Sequence, residues 1–346
     1  MVEPPIKGHD YLNLTTYAFY IHHRRLGKKI LYDMGARKDW WNLPPHVLHA
    51  IQSKGVQGMR ITSEIDEILS DGGVDPKTID AVVWSHYHFD HTGNIQKFPK
   101  STDVVVGHGF AKQFLPGHPV NPESPFYEAD FEGRNLHEIL FDENSMRIGK
   151  LRAHDYFGDG SFYLLATPGH TAGHISALVR TTPDTFIFLG GDISHYAGMY
   201  RPSSYLPMPD TLPSIAALDP RVPRPCPCSL FTACHPRGPE LAQTTPYYHP
   251  SGSSSSWYED HIVAQRSIDS MQEFDASNQV FVAIAHDPTL AEVCTVFPHG
   301  NMNDWKEKEW KVRVHWGFLN ELPLDGKPGR PKLIEGRLRD GKHWEC

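Results

Sequence analysis

The feature that most constrains this chain is the stretch SHYHFDHTG at residues 85–93, directly after the apolar run AVVW. It places three histidines and an aspartate, His86, His88, Asp90 and His91, within six residues. Neutral imidazole nitrogens and carboxylate oxygens are the donors that zinc and iron prefer. A short apolar run followed by such a cluster predicts a buried strand that ends at a metal site.

Three later apolar runs also end in a candidate metal donor. The runs FYLLA, FIFL and VFVAIA lead to His170, Asp192 and His286, respectively. Short apolar runs bounded by turn residues are typical of buried strands. Four strands that each end in a donor therefore predict one shared metal site at the strand ends.

Composition narrows the class of partner. The chain has 346 residues, 39% of them hydrophobic, and a formal net charge of −8. Because nucleic acids and anionic membranes repel an acidic surface, we expect a small-molecule substrate and neither of those partners. No secretory leader or membrane-spanning apolar run is found, which predicts a cytoplasmic protein. Five unevenly spread cysteines predict no disulfide framework, and nothing in the sequence indicates the oligomeric state.

Local patterns predict a hairpin and a helix before the histidine cluster. Aromatic and β-branched runs at residues 15–22 and 29–32 are typical of two paired strands. Asp33 follows them, and two interpretations stay open: a carboxylate that orients a ligand histidine, or a turn-forming residue. Ser63 and Asp66 predict a capping box at the start of an amphipathic helix.

Residues 1–320 are predicted to form a single domain. Within it, residues 196–256 are rich in proline, serine and tyrosine, and are interpreted as an insertion that forms a lid or a surface loop. Helical spacing resumes at residues 259–274. The charged residues 321–346 predict a C-terminal tail that wraps the surface or frays.

Four motifs in a fixed order carry a family resemblance: HYHFDH at 86–91, PGHTAGH at 168–174, GGD at 190–192 and AHD at 285–287. With them the chain resembles the metallo-β-lactamase superfamily, and within it the N-acyl-homoserine-lactone lactonases and their relatives from filamentous fungi. The resemblance implies an α/β fold, an αββα sandwich with metal ions at one end of two packed sheets. The motifs are far less specific for the substrate.

The resemblance also implies seven ligands for two metal ions. His86, His88 and His170 would hold the first ion, Asp90, His91 and His286 the second, and Asp192 would bridge the two. We expect two Zn²⁺ ions, with iron or manganese as alternatives. Such a pair implies a hydrolase whose metal-bridging hydroxide attacks a carbonyl carbon, with Asp90 and Asp192 as candidates for handling the proton.

One position departs from the family pattern. The lactonases commonly carry a tyrosine three residues after the bridging aspartate, where it contacts the substrate carbonyl. This chain has His195 at that position and Tyr196 next to it. Either side chain could donate a hydrogen bond to an oxyanion, and both could equally be ordinary loop residues. His174, beside the second motif, is interpreted as structural because the ligand count is complete without it.

The function implied is the opening of a lactone or lactam ring. The fungal relatives suggest a specific variant, a γ-lactamase that opens benzoxazolinones in xenobiotic detoxification. A glyoxalase-type thioester hydrolase is an alternative, but the basic residues near 330–332 form no convincing patch for the glutathione carboxylates. An iron-dependent oxidoreductase on the same fold is a second alternative, for which no glycine-rich flavin motif is found.

Overall fold

Two β-sheets lie face to face in the computed structural model, which describes residues 1–339 and 341–343. The strands are β1 (Val2–Glu3), β2 (Phe19–His23), β3 (Lys28–Tyr32), β4 (Gly58–Met59), β5 (Ala81–Val83), β6 (Asp103–Gly107), β7 (Leu136–Ile139), β8 (Arg147–Ile148), β9 (Leu151–Asp155), β10 (Phe162–Ala166), β11 (Ile175–Thr182), β12 (Thr185–Gly191), β13 (His249–Pro250), β14 (Val280–Ile284), β15 (Gly336–Arg339) and β16 (Lys342–His343).

Helices cover the outer faces of the two sheets. The α-helices are α1 (Pro45–Ser53), α2 (Ile65–Asp71), α3 (Phe89–Thr92), α4 (Phe110–Phe114), α5 (Glu128–Phe131), α6 (Ser229–Thr232), α7 (His261–Ala276), α8 (Pro288–Val293) and α9 (Trp310–His315). Short 3-10 helices span Trp40–Asn42, Pro76–Thr78, Ile95–Lys97, Ala197–Met199 and Gly317–Glu321. Within the described ranges, none of the helices is long and apolar enough to cross a bilayer.

Strand direction brings the donor-bearing loops together. The five-stranded sheet has the order β2-β3-β5-β6-β7, and the six-stranded sheet has the order β14-β12-β11-β10-β9-β8. The predicted hairpin is confirmed, because β2 pairs antiparallel with β3. In the other sheet, β10 and β12 are both antiparallel to β11, and β14 is parallel to β12. The carboxyl ends of β10, β12 and β14 therefore lie at one edge.

Apolar side chains from both sheets fill the space between them. Tyr32 and Val83 from the first sheet join Leu164, Leu189 and Phe281 from the second in one cluster, and each is at most 2% exposed. Burial of such a side chain contributes about 1.5–3 kcal/mol to folding. With helices on both outer faces, this arrangement confirms the predicted αββα sandwich.

Helix α2 begins one residue later than its predicted capping box. Glu64, not Ser63, is the N-cap, and the carboxylate of Glu67 accepts the Glu64 backbone N–H at 3.0 Å. The predicted pair of Ser63 and Asp66 is therefore wrong. The longer glutamate side chain at the third helical position reaches back to the cap, which completes the same reciprocal arrangement one residue further along.

Much of the segment at residues 196–256 packs against the outer face of the six-stranded sheet. Tyr200, Phe231 and Tyr247 are at most 1% exposed and belong to the apolar cluster on that face. Arg201 is also buried and forms an ion pair with Asp275 of α7. The sequence predicted a lid or a surface loop. The buried aromatic residues are scattered among prolines without helical or strand spacing, so no sequence pattern indicated this burial.

The chain beyond residue 320 is anchored to the rest of the molecule along its described part. Glu321 and Leu322 are buried at the predicted domain boundary. Arg330 forms ion pairs with Asp219 and Glu292, and β15 adds in parallel to β4. The cysteines at 226, 228, 234 and 294 are free thiols, whereas Cys346 and the last part of the predicted tail lie outside the described residues.

Candidate metal centre

Four loops deliver the predicted donors to one edge of the sandwich. The turn after β5 carries His86 and His88, and the short helix α3 that follows carries Asp90 and His91. His170 follows β10, Asp192 follows β12 and His286 follows β14. Each of these strands is buried and ends in a turn, so its donor projects past the last paired residue.

The structure brings all seven predicted donors together, in groups whose donor atoms lie within 4.8 Å of one another. The groups are His86, His88, His170 and Asp192; then Asp90, His91 and His286; and finally Asp192, His195 and His286. The first two groups match the division between two metal ions that the resemblance implied. Asp192 takes part in the first and third groups, and His195 joins it in the third.

The carboxylate of Asp192 lies between the groups and points one oxygen at each. Its Oδ1 is 3.0 Å from His91 Nε2 and 2.9 Å from His286 Nε2. Its Oδ2 is 3.3 Å from His170 Nε2 and 3.7 Å from His86 Nε2. A carboxylate oriented in this way can contact two cations at once.

Several buried atoms at this centre lack the partners that buried polar atoms need. His91 Nε2 and Asp192 Oδ1 lie 3.0 Å apart but are not oriented for a hydrogen bond, and neither atom has another hydrogen-bond partner among the described residues. His170 Nε2 lies 3.0 Å from His86 Nε2 and 2.9 Å from His88 Nδ1. Burial lowers the pKa of these three histidines well below its usual value, so they are neutral. Converging neutral imidazoles and an unpartnered carboxylate oxygen fit divalent cations.

Two ligand histidines are oriented by hydrogen bonds at their Nδ1 atoms. His91 Nδ1 lies 2.8 Å from Asp33 Oδ2, and Asp33 Oδ1 accepts the Ser85 backbone N–H at 2.7 Å. His286 Nδ1 donates to the carbonyl oxygen of Thr15 at 2.5 Å. These contacts leave each Nε2 free to bind a metal. Asp33 has a φ of +57°, so it both orients a ligand and forms the turn after β3.

His174 holds the backbone of Asp192. The Asp192 N–H donates to His174 Nε2 at 3.0 Å, and His174 Nδ1 lies 2.9 Å from Thr167 Oγ1. The imidazole therefore uses both nitrogens within the protein. It lies outside the donor groups, which agrees with its interpretation as a structural residue.

The two candidates for oxyanion contact, His195 and Tyr196, have different partners in the structure. His195 Nε2 lies 3.1 Å from Asp192 Oδ2, whereas the hydroxyl of Tyr196 donates to the carbonyl oxygen of Phe318 at 2.6 Å. His195 Nδ1 in turn lies 2.8 Å from the hydroxyl of Tyr258. Tyr196 is thus directed away from the donor groups, because its hydroxyl already has a backbone acceptor elsewhere.

Tyr258 was missed by sequence reasoning, since it lies 63 residues after His195 and belongs to no motif. Burial raises the pKa of Tyr258 well above its usual value, so its hydroxyl stays protonated and can donate to His195 Nδ1. The neighbouring Trp257 packs edge-on against His88, with ring centroids 5.0 Å apart. Both aromatic residues come from the chain just before α7, which therefore forms part of the wall of the centre.

Comparison with known proteins gives the family. The model of the metallo-β-lactamase superfamily matches residues 17–222. Gamma-lactamase FDB1 from Fusarium pseudograminearum is 38% identical over 97% of this chain and 82% of its own length. Gamma-lactamase MBL2 from Gibberella moniliformis is 41% identical over 70% of this chain and 100% of its own length.

A bacterial relative agrees with the lactonase resemblance over a shorter stretch. N-acyl homoserine lactonase AttM from Azorhizobium caulinodans is 30% identical over 42% of this chain and 54% of its own length. The family model spans more than half of the chain, and the motifs that suggested the family supply the donors found at the centre. The chain therefore belongs to the metallo-β-lactamase superfamily and is a metal-dependent hydrolase.

Proposed function

We propose that the protein opens a cyclic amide or ester by hydrolysis at two metal ions, and that its substrate is a lactam of the benzoxazolinone type. The observation that carries the proposal is the orientation of Asp192, whose two oxygens face two different groups of buried donors. Two relatives that are named gamma-lactamases favour a lactam over a lactone.

In this proposal the seven donors divide between two ions. His86, His88 and His170 hold one ion, Asp90, His91 and His286 hold the other, and Asp192 contacts both. When bound, such a pair of ions supplies a Lewis acid for the carbonyl oxygen and lowers the pKa of bound water near neutrality. Zn²⁺ suits the imidazole-rich donor set, and iron and manganese are the alternatives.

His195 is the proposed hydrogen-bond donor to the substrate. In the proposed tautomer, the Tyr258 hydroxyl donates to Nδ1 and the proton of the neutral imidazole lies on Nε2, which is 3.1 Å from Asp192 Oδ2. Such an N–H can donate a hydrogen bond to the oxygen on which negative charge develops when the ring opens. Tyr258 acts through His195 and is a positioning residue.

Asp90 is the proposed proton carrier. Its side chain is 20% exposed, whereas that of Asp192 is 2% exposed. A carboxylate that touches both the donor group and solvent can accept a proton and deliver it to the departing nitrogen or oxygen. Asp192 is enclosed by imidazoles, and its proposed task is to hold the ions.

Trp257 is the proposed contact for a flat, polar ring. It is 9% exposed and lies against His88, and its indole N–H has no acceptor among the described residues. A buried indole N–H without an acceptor is unfavourable unless a ligand supplies one. An aromatic lactam offers a flat ring for the indole face and a carbonyl oxygen for the N–H.

The test is ring opening by the zinc-loaded protein on a panel of cyclic substrates. We expect the highest kcat/KM for 2-benzoxazolinone, followed by ring opening of simple γ- and δ-lactones at lower rates. Activity should disappear on chelation and return with added zinc. The protein treated with chelator and assayed without zinc is the matched control.

Other outcomes on the same panel would overturn the proposal at different levels. A preference for N-acyl homoserine lactones would replace the lactam by a lactone and keep the hydrolytic mechanism. Turnover of glutathione thioesters alone would replace ring opening by the glyoxalase-type reaction. Activity that needs iron and oxygen and yields no hydrolysis product would exclude a hydrolase.

A further inference from the structure

A cleft of about 420 Å³ lies beside the loop that carries His170 and is separate from the donor groups. Its lining includes four lysine and arginine side chains, two histidines and no aspartate or glutamate. The lysine and arginines are Arg147, Lys150, Arg152 and Arg266, and the histidines are His108 and His174. A concentration of positive charge is unexpected in a chain with 41 acidic and 33 basic residues, so this cleft differs from the rest of the surface.

Three of these cations lack a charged partner. Lys150 pairs with Glu273, and His108 lies 3.3 Å from Glu138. In contrast, Arg147, Arg152 and Arg266 form no ion pair with any carboxylate in the described part of the chain. Three arginines without a carboxylate partner in the described part of the chain therefore line one cleft.

Strand pairing makes this charge costly without a ligand. Arg147 of β8 and Arg152 of β9 are directly opposite each other in the antiparallel register. Like charges at directly opposed positions destabilise a sheet. Arg147 donates one hydrogen bond to the carbonyl oxygen of Lys150, at 3.0 Å, and Arg152 donates one to that of Phe141, at 3.4 Å. Neither contact supplies negative charge, so an anion between the guanidinium groups would relieve the repulsion.

The shape of the cleft indicates the kind of anion. Its volume lies in the range of small-molecule sites. Leu140 and Phe141 add apolar wall beside the cations. Guanidinium groups bind phosphate and carboxylate oxygens in a bidentate manner, which suits a ligand with an apolar body and two negative charges.

We propose that this cleft binds a small organic dianion, either a phosphate monoester or a dicarboxylate, through Arg147, Arg152 and Arg266. The site is distinct from the ring-opening centre and does not depend on the proposed substrate. His174 connects the two places, because it lines the cleft and accepts the backbone N–H of Asp192. A ligand in the cleft therefore lies next to a residue that positions the bridging carboxylate.

The test is calorimetric titration of the zinc-loaded protein at fixed ionic strength with two probes, phenyl phosphate and isophthalate. We expect saturable binding of at least one probe with one equivalent per chain. The triple variant Arg147→Gln/Arg152→Gln/Arg266→Gln should weaken that binding by at least ~10-fold, because it removes three charge-assisted contacts. Tighter binding of phenyl phosphate assigns a phosphate monoester, and tighter binding of isophthalate assigns a dicarboxylate.

A charge-matched variant controls for general electrostatic attraction. Arg24, Arg60 and Arg237 are exposed and lie outside the cleft lining, so Arg24→Gln/Arg60→Gln/Arg237→Gln changes the net charge equally. It should bind the probes as the wild type does. Equal weakening in both variants, undiminished binding in the cleft variant, or no binding of either probe to the wild type would overturn the proposal.

Thermal unfolding gives a second measurement that does not depend on the ligand. Without a probe, the cleft variant should melt at the same temperature as the wild type or higher, since the opposed arginines repel each other. A lower melting temperature would show that the three side chains stabilise the fold, and would count against a binding site.

Discussion

Two buried carboxylates, Asp192 and Asp275, show how differently this protein treats internal negative charge. They are 2% and 3% exposed, respectively. Asp275 accepts hydrogen bonds from Arg201 Nε at 3.0 Å and Nη2 at 2.7 Å. Burial alone would raise the pKa of Asp275, but the Arg201 guanidinium outweighs it and holds the pKa well below the usual range. Asp192 has no arginine or lysine partner among the described residues and is surrounded by imidazoles instead.

The difference separates a structural charge from a functional one. Arg201 supplies a permanent cation from the chain itself, and its Nη1 also donates to the carbonyl oxygen of His315. This pair joins the segment at 196–256 to α7 and leaves no coordination position open. The imidazoles around Asp192 belong to donor groups that can hold a metal ion, which would come from outside the chain. A buried carboxylate among such donors therefore indicates a metal centre, whereas one held by arginine indicates a packing contact.

The largest expected effect comes from removing the carboxylate of Asp192. Asp192→Ala should lower the bound metal content and reduce kcat/KM on any substrate that the wild type opens by at least ~1000-fold, because it removes the proposed contact to both ions. Metal analysis and steady-state kinetics measure the two effects. Asp269→Ala, at an exposed position on α7, is the control and should match the wild type. If the Asp192→Ala protein keeps two metal equivalents per chain, the proposed bridging role of Asp192 is contradicted.

The next largest effect comes from removing Arg201, the cation that pairs with Asp275. Arg201→Met should lower the free energy of unfolding by about 3–5 kcal/mol, because it leaves the carboxylate of Asp275 buried and uncompensated. Urea denaturation measures this change. The double variant Arg201→Met/Asp275→Leu should recover most of the loss, since neither charge remains. If the double variant is as unstable as the single one, packing of the arginine stem and not charge compensation explains the loss.

The smallest effect concerns a third buried carboxyl group, Glu321, which forms no ion pair among the described residues. Asn13 Nδ2 donates to its Oε2 at 2.9 Å, and its Oε1 has no hydrogen-bond partner among the described residues. Burial raises the pKa of Glu321 from 4.5 to about 7. Between these two values the native state holds a proton that the unfolded chain has released, so stability falls as the pH rises through this window.

Glu321→Gln should remove that part of the pH dependence. The variant should gain stability relative to the wild type on going from pH 5 to pH 8, by up to ~3 kcal/mol. Urea denaturation of both proteins at the two pH values measures the difference, and titration of all other groups cancels in the comparison. A constant difference between the two proteins would show that Glu321 is ionised in the native state throughout.

Sequence reasoning succeeded where a short local pattern encodes the structure. An apolar run before a turn predicts a buried strand, and a histidine directly after that turn projects from the strand end. For this reason the runs before His86, His170, Asp192 and His286 were sufficient to place the donors at one edge. For Asp33 the sequence left two roles open, because a turn-forming residue and a residue that orients a ligand can both be an aspartate directly after a strand.

By itself, the sequence supplied four ordered motifs whose family resemblance implied the sandwich, the family and a candidate set of donors, and its apolar runs predicted the buried strands. Only the tertiary structure decided which side chains meet across long separations. It directs His195 to Asp192 and Tyr258, turns Tyr196 away, and encloses Arg201 with Asp275. It also brings Arg147, Arg152 and Arg266, which form no ion pair among the described residues, to the lining of one cleft. The physical reason is that such contacts depend on how sheets, helices and irregular segments pack, and no local pattern records that packing.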